Sequence, residues 1–330
     1  MKKILNITNG DSAVEIMQQA KIEGDFLPWR DVLHDGPVPQ GIPLDELSEV
    51  RTKFIVGSGW GSLENITTSF VERDNTLKSV ADYEKVILWF EHDLYDQLQI
   101  IQVLDWFNQN KSEAVELSII CTNQYLGMLS PEQMAVLDSH EQAVTYEQLA
   151  LSSKAWSAFR SKTPEKWRAL LDTDTSVLPF LEGAIIRQLE EYPDCSNGLS
   201  RSAKQILKIV SDGESNPRKV FARSQKLEER LFMGDSSFWV IIQDLLEASV
   251  TKSKTASPLL KIPKGMKWTR PPTPDIKLTL TPLGEVVLAG EKNWLEFTEI
   301  DHWVGGVHLT PKNLWCWHSE SELIVRRAKL

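Results

Sequence analysis

Val86-Ile87-Leu88-Trp89-Phe90-Glu91-His92-Asp93-Leu94 is the stretch on which the fold of the first half turns. Residues 86–90 are apolar at every position, a length that suits a strand. A strand apolar on both faces lies inside a sheet covered by helices on both sides, which means a largely parallel sheet. From Leu94 the pattern changes. Leu94, Leu98, Ile101, Leu104 and Phe107 recur at three- and four-residue steps, which predicts a helix over 94–110. The polar triplet Glu91-His92-Asp93 thus sits where a strand hands over to a helix.

The same alternation extends in both directions. Ile4-Leu5-Asn6-Ile7 reads as a first strand over 3–8, broken by Asn9-Gly10-Asp11-Ser12 and followed by a helix over 13–20. Phe26 to Arg30 reads as a second strand. His34-Asp35-Gly36-Pro37-Val38-Pro39 must be loop, because a glycine and two prolines interrupt regular structure. Helices are expected over 44–56 and 66–80, a strand over 115–121, and a short last strand over 142–145. The sum is α/β: a Rossmann-like, largely parallel sheet over residues 1–145.

That architecture predicts where a site lies. Ligands of open α/β sheets bind beyond the carboxyl ends of the strands. Asn9, Gly10, Asp11 and Ser12 follow the first strand, Arg30, His34 and Asp35 the second, and Glu91, His92 and Asp93 the third. Histidine beside carboxylates can give and take protons, so His92, Glu91, Asp93, His34 and Asp11 are the candidate catalytic residues. Asn9, Gly10, Ser12 and Arg30 are the candidate ligand contacts. Arg30 offers a planar fork that pairs two oxygens of a phosphate or carboxylate. Each residue also has a plainer role. Asp11 or Ser12 can cap the first helix, Asp93 can cap the helix from Leu94, and Glu91 and His92 can meet solvent or Arg30. Gly10 stands without the further glycines of a dinucleotide loop. The Gly-Asp-Ser triplet also occurs in serine hydrolases, but the Asp-x-x-His block those enzymes carry near the C-terminus occurs here only early, as Asp31 and His34. Ser12 is therefore read as a contact or cap. Neighbouring residues at a strand end point to opposite faces, so no metal set is assigned.

Three strings here resemble a bacterial family, the one catalogued as domain of unknown function 1835. They are Asn9-Gly10-Asp11-Ser12, Trp29-Arg30-Asp31-Val32-Leu33-His34-Asp35-Gly36-Pro37, and Trp89-Phe90-Glu91-His92-Asp93-Leu94-Tyr95-Asp96-Gln97. The resemblance covers about residues 3–125. Asn197-Gly198-Leu199-Ser200, Gly234-Asp235-Ser236-Ser237-Phe238-Trp239 and Gly305-Gly306-Val307-His308-Leu309 resemble the back half of the family's long members. The resemblance implies no reaction and no cofactor.

Length and composition bound the rest. With 330 residues, 42% hydrophobic and 25% charged, the chain has room for two or three domains and is neither fibrous nor disordered. No apolar run reaches the roughly eighteen residues of a membrane span, and Met1-Lys2-Lys3-Ile4-Leu5-Asn6 lacks the core of a signal peptide. Cys121, Cys195 and Cys316 have no paired spacing, so a reducing, cytoplasmic setting without a disulfide framework is expected. The net charge of −10 divides unevenly, with −14 over residues 1–150 and +7 over 199–271. Unlike charge on the two parts suggests unlike partners, or attraction between them.

Residues 146–197 read as a helical connector. From Ser200 the pattern predicts a capped helix ended by Asp212-Gly213, a second helix from Pro217 to about Leu231, and a third over 238–248 capped by Asp235 or Ser236. A basic segment then leads to a strand over 277–281 and a helix over 282–289. This order resembles a winged helix over 198–330, closed by a tryptophan-bearing β-hairpin. Lys252, Lys254, Lys261, Lys264, Lys267 and Arg270 are spaced like a phosphate-contacting loop. The third helix carries Asp235, Asp244 and Glu247 but no base, which suits a protein partner as well as nucleic acid. Two functions stay open. In one, the front domain binds a small anionic ligand, a nucleotide or phosphorylated compound, with hydrolytic or phosphotransfer chemistry. In the other, the protein is a non-enzymatic regulator acting through residues 199–271.

Overall fold

The computed structural model describes residues 3–110, 114–247 and 258–327. The chain forms two compact units, 1–185 and 186–330. The segment expected as a connector, 146–197, is divided between them.

The first unit is a mixed α/β layer structure. Its elements are β1 (Ile4–Thr8), α1 (Asp11–Gln19), β2 (Asp25–Pro28), α2 (Leu44–Gly57), α3 (Leu63–Lys78), β3 (Lys85–Phe90), α4 (Leu94–Asn110), β4 (Glu116–Cys121), α5 (Pro131–Asp138), β5 (Gln142–Ala143), α6 (Tyr146–Phe159) and α7 (Glu165–Arg168). The sheet order is β2-β1-β3-β4-β5. The first four strands are parallel, and β5 runs antiparallel to β4. Order therefore reverses between β1 and β3. Thr8 pairs with both Pro28 and Trp89, and Phe90 pairs with Cys121, so Asn9, Trp29, Glu91 and Thr122 leave the sheet along one edge.

Side-chain alternation explains the two faces. Ile87 and Trp89 join Ala13, Met17, Leu126, Met134 and Leu137 in one core. α4 is buried on almost every side and packs along α6. Polar residues on such a helix must find internal partners. Gln99 donates to the Asp31 carbonyl, and Gln102 accepts from the Trp29 indole, both at 3.0 Å. Two helices begin on reciprocal caps: Ser130 with Gln133 for α5, and Thr145 with Gln148 for α6.

α8 (Leu181–Leu189) spans the division. The second unit holds α9 (Arg201–Ser211), α10 (Pro217–Gln225), α11 (Asp235–Glu247), β6 (Leu260–Lys261), β7 (Thr279–Leu280), α12 (Pro282–Leu288), β8 (His302–Val304), β9 (Val307–Leu309), β10 (Trp315–His318) and β11 (Leu323–Arg326). The strands form three separate antiparallel pairs. Ser200 caps α9 as expected. α10 stops at Gln225, well short of Leu231. Beyond it Glu228 and Glu229 are tied to Arg187 and Arg201 by ion pairs at 2.7 and 2.6 Å. α11 begins at Asp235, so Asp235 and Ser236 lie within its first turn, and its end beyond Glu247 falls outside the described residues. The tail hairpin buries Trp315 and Trp317, and Trp303 stacks on His308 at 4.4 Å. Cys195 packs in the cluster of Cys316, although 121 residues separate the two in the sequence.

Candidate functional site

The strand ends carry two different groups of buried charge, and the polar motifs of the sequence point to only one of them.

The first is built from Glu91, Asp93 and Asp96. Their residues are 5, 3 and 1% exposed. Glu91 continues β3 by one residue. Asp93 accepts from the Asp96 amide at 3.2 Å, so it does cap α4. Asp96 lies one turn on, and accepts from the Glu91 amide at 2.7 Å and from Asn9 Nδ2 at 3.0 Å. Asn9 Nδ2 and the Leu126 amide each donate to Glu91 Oε1 at 2.7 Å. Asn9 thus joins the end of β1 to the end of β3. The Tyr95 hydroxyl donates to the Asn9 carbonyl at 3.2 Å. Gln97 donates to the Glu91 carbonyl at 2.7 Å and to the Cys121 thiol at 3.7 Å.

Three carboxyls packed together out of water cannot all ionise at low cost. Burial pushes Asp93 up to about 7, with the neighbouring Glu91 charge adding to the effect. Burial also raises Asp96 well above the ordinary range, reinforced by Asp93 and Glu91. Glu91 is raised by burial and eased down by Asn9, the Leu126 amide and Asp93. The charge on Glu91 thus makes ionising Asp93 harder, and both make ionising Asp96 harder. The trio therefore holds protons near neutral pH. Each member also offers one oxygen within 4.8 Å of the others, the spacing a cation needs.

The histidines have different surroundings. His92 is buried against the rings of Tyr125 (5.0 Å) and Phe180 (5.8 Å), not in solvent. His34 lies edge-on to Tyr95 at 6.0 Å and 3.6 Å from the Asp35 carboxylate.

The expected anion receptor is occupied. Arg30 grips Asp11 with Nε and Nη2 at 2.8 and 2.6 Å, and its Nη1 reaches Ser69 at 3.2 Å. This hydrogen bond holds the Asp11 carboxyl below its usual range. Asp11 and Ser12 do not cap α1. The N-cap is Gly10, with extended backbone and no side-chain cap, and a Cβ there would meet nothing within 4 Å. Ser12 lies under the turn at Leu126–Met128, where a Cβ on Gly127 would come within 2.9 Å of the Ser12 Cβ.

The second group is Asp31, Arg51, Arg73 and Asp74, all buried. Arg51 Nε donates to Asp31 at 2.8 Å. Its other nitrogens hold the carbonyls of Val32 and Asp35 at 2.7 Å and Pro37 at 3.3 Å. Arg73 donates to Asp74 at 2.9 Å and stacks on Trp29 at 4.3 Å. The loop after β2 is thereby pinned. Gly36 completes it with φ of +73°, where a Cβ would strike the Phe54 ring at 2.5 Å. Arg51 and Arg73 lie on helices read from apolar spacing alone, and that spacing carries no sign of this role. For Asp96 and Gln97 a sign existed: both sit one turn beyond the polar triplet, on the face that α4 turns back toward β3.

In the second unit Lys261 ends β6, and Lys264, Lys267 and Arg270 follow on the segment before β7, all four exposed. Lys252 and Lys254 lie outside the described residues. Among the described residues no helix is long and apolar enough to cross a membrane. No family model matches the chain, and no curated protein matches it either.

Proposed function

We propose that the first unit is a Rossmann-like domain that handles a small ligand beyond β1 and β3, with Asp93 donating a proton and Glu91 taking it back. The observation that carries this reading is the burial of three carboxyls together at the point where strand order reverses. Crevices at such points are where open α/β sheets hold ligands. Acids whose neighbours push them toward neutral pH suit proton transfer. The open N-terminus of α1 and the exposed Arg30 favour a phosphorylated compound or a nucleotide. A phosphate would exchange for Asp11 on Arg30, and an exposed ion pair gives way at little cost. Hydrolysis or phosphoryl transfer is the chemistry that fits. The three strings that resemble domain of unknown function 1835 supply Asn9, Arg30 and the carboxyl group, which is consistent with this edge as a common site.

Thermal unfolding with nucleotides, sugar phosphates and divalent metals tests this reading, on the wild-type protein and on Glu91→Gln and Asp93→Asn. A ligand of the folded state raises the midpoint by mass action. The expected result is a shift that both substitutions remove. A shift of equal size in all three proteins places the ligand elsewhere.

A second reading rests on the second unit. The Leu278 amide donates to the Ser215 carbonyl at 2.8 Å, which adds a strand-like contact between α9 and α10 to the β6–β7 pair. This contact supports a winged-helix-like reading of the second unit, and with it a regulatory module that contacts nucleic acid or a protein. The exposed face of α11 carries Asp235, Asp244 and Glu247, so base reading by that helix is disfavoured. Lys261→Glu with Lys264→Glu is expected to weaken nucleic-acid binding and flatten its salt dependence. Unchanged binding leaves a protein partner.

A further inference from the structure

Beyond β4 lies a cavity of about 710 Å³ whose walls are all in the first unit. Its size falls in the range of about 300–1,000 Å³ usual for small-molecule sites, and it opens at the carboxyl edge of the sheet. Its lining is unlike the strand ends next to it. No lysine or arginine lines it, and Glu141 in its wall is paired with Lys85 at 2.6 Å. Apart from the imidazole of His140, an anionic group would find no basic side chain in that lining. The side-chain amides of Asn123, Gln124 and Gln142 line it and make no hydrogen bond with other described residues. Half-buried Phe180 adds a ring to its wall. Cys121 contributes a thiol that burial pushes up to about 12, so it stays neutral and unreactive.

We propose that this cavity binds an uncharged, ring-bearing ligand whose edge carries both donors and acceptors, as a nucleobase does. Side-chain amides are suited to that task, because each presents a donor and an acceptor side by side and can pair with a heterocycle edge in two bonds. An aromatic ring provides the stacking surface that such a ligand needs. The cavity shares a wall with the carboxyl group. Gln97 donates to both Cys121 and the Glu91 carbonyl, and Phe180 packs on His92. The proposal goes beyond the proton-transfer reading and does not depend on it.

Calorimetric titration of the full-length protein with adenosine, guanosine, cytidine and uridine, and with their 5′-monophosphates, tests it. At least one nucleoside is expected to bind with Kd below about 1 mM. Gln124→Ala with Gln142→Ala is expected to weaken it by about fivefold or more. Both positions are at the surface, so the fold should stand. Glu91→Gln should leave nucleoside affinity within about twofold, which separates this proposal from the reading of the carboxyl group. The cavity assignment is overturned if no nucleoside binds, or if a monophosphate binds while its nucleoside does not. It is also overturned if Glu91→Gln abolishes binding that the double amide variant leaves intact.

Discussion

Asp31 and Asp74 are buried with Arg51 and Arg73, two acids among two bases, whereas Glu91, Asp93 and Asp96 are buried against one another. Both groups lie in the same unit and are equally hidden from water. In the first, every charge meets an opposite charge, and the surplus donors of Arg51 go to carbonyls of the loop after β2. That arrangement fixes a backbone. In the second, like charges meet, and amides from Asn9, Leu126 and Glu91 only soften the repulsion. Folding gains nothing from such a cluster that amide side chains would not supply more cheaply. A balanced buried group is thus a structural device, and an unbalanced one is the better candidate for chemistry.

The contrast can be broken most directly at Arg51. Arg51→Met leaves the Asp31 carboxylate and three carbonyls without their donor. Urea unfolding is expected to show a loss of about 3–5 kcal/mol, and a loss under about 1 kcal/mol would show that the loop is held by other means.

The carboxyl group predicts the opposite sense. Asp93 has its folded value raised from 3.8 to about 7, so between those pH values the folded state binds more protons than the unfolded state. Stability from this group is present below about 4 and lost as pH rises toward 7. Comparing Asp93→Asn with the wild type should isolate this slope, since asparagine keeps the cap on Asp96 but does not titrate. The variant is expected to gain on the order of 4 kcal/mol relative to the wild type between pH 4 and pH 8. Parallel profiles for the two proteins would mean that Asp93 titrates alike in the folded and unfolded chains.

Asn9→Ala removes two hydrogen bonds from the trio. A loss of about 1–2 kcal/mol is expected in chemical unfolding at pH 8, and less at pH 5, where protons replace the missing donors. An equal loss at both values would make Asn9 a packing residue. The smallest effect belongs to the exposed pair. Asp11→Asn should change stability by less than about 0.5 kcal/mol while leaving Arg30 open. A loss above about 1 kcal/mol would mark that pair as part of the fold.

Much of the first unit was legible in the residues. The run at 86–90, the helix from Leu94 and the short strands at 4–8 and 116–121 follow from side-chain period, a local property. Which strand ends lie side by side was not legible, since strand order is set by pairing across the sheet and not by period. The cap at Asp93 was legible for the same local reason. α10 is shorter than its periodicity predicts: apolar spacing continues past Gln225, while ion pairs to Arg187 and Arg201 take over Glu228 and Glu229.

By itself, then, the sequence determined the layer architecture of the first unit and which segments border its strand ends, because hydrophobic period and chain direction are written in order along the chain. Only the tertiary structure decided the partners. It gave Arg30 to Asp11, drew Arg51 and Arg73 in beneath the loop after β2, and set Asp96 against Glu91. It also packed His92 between rings and left an amide-lined cavity beyond β4. Each of those choices joins residues that are distant in the chain or on different faces of an element. Their energies depend on burial and on neighbouring charge, which no local pattern encodes.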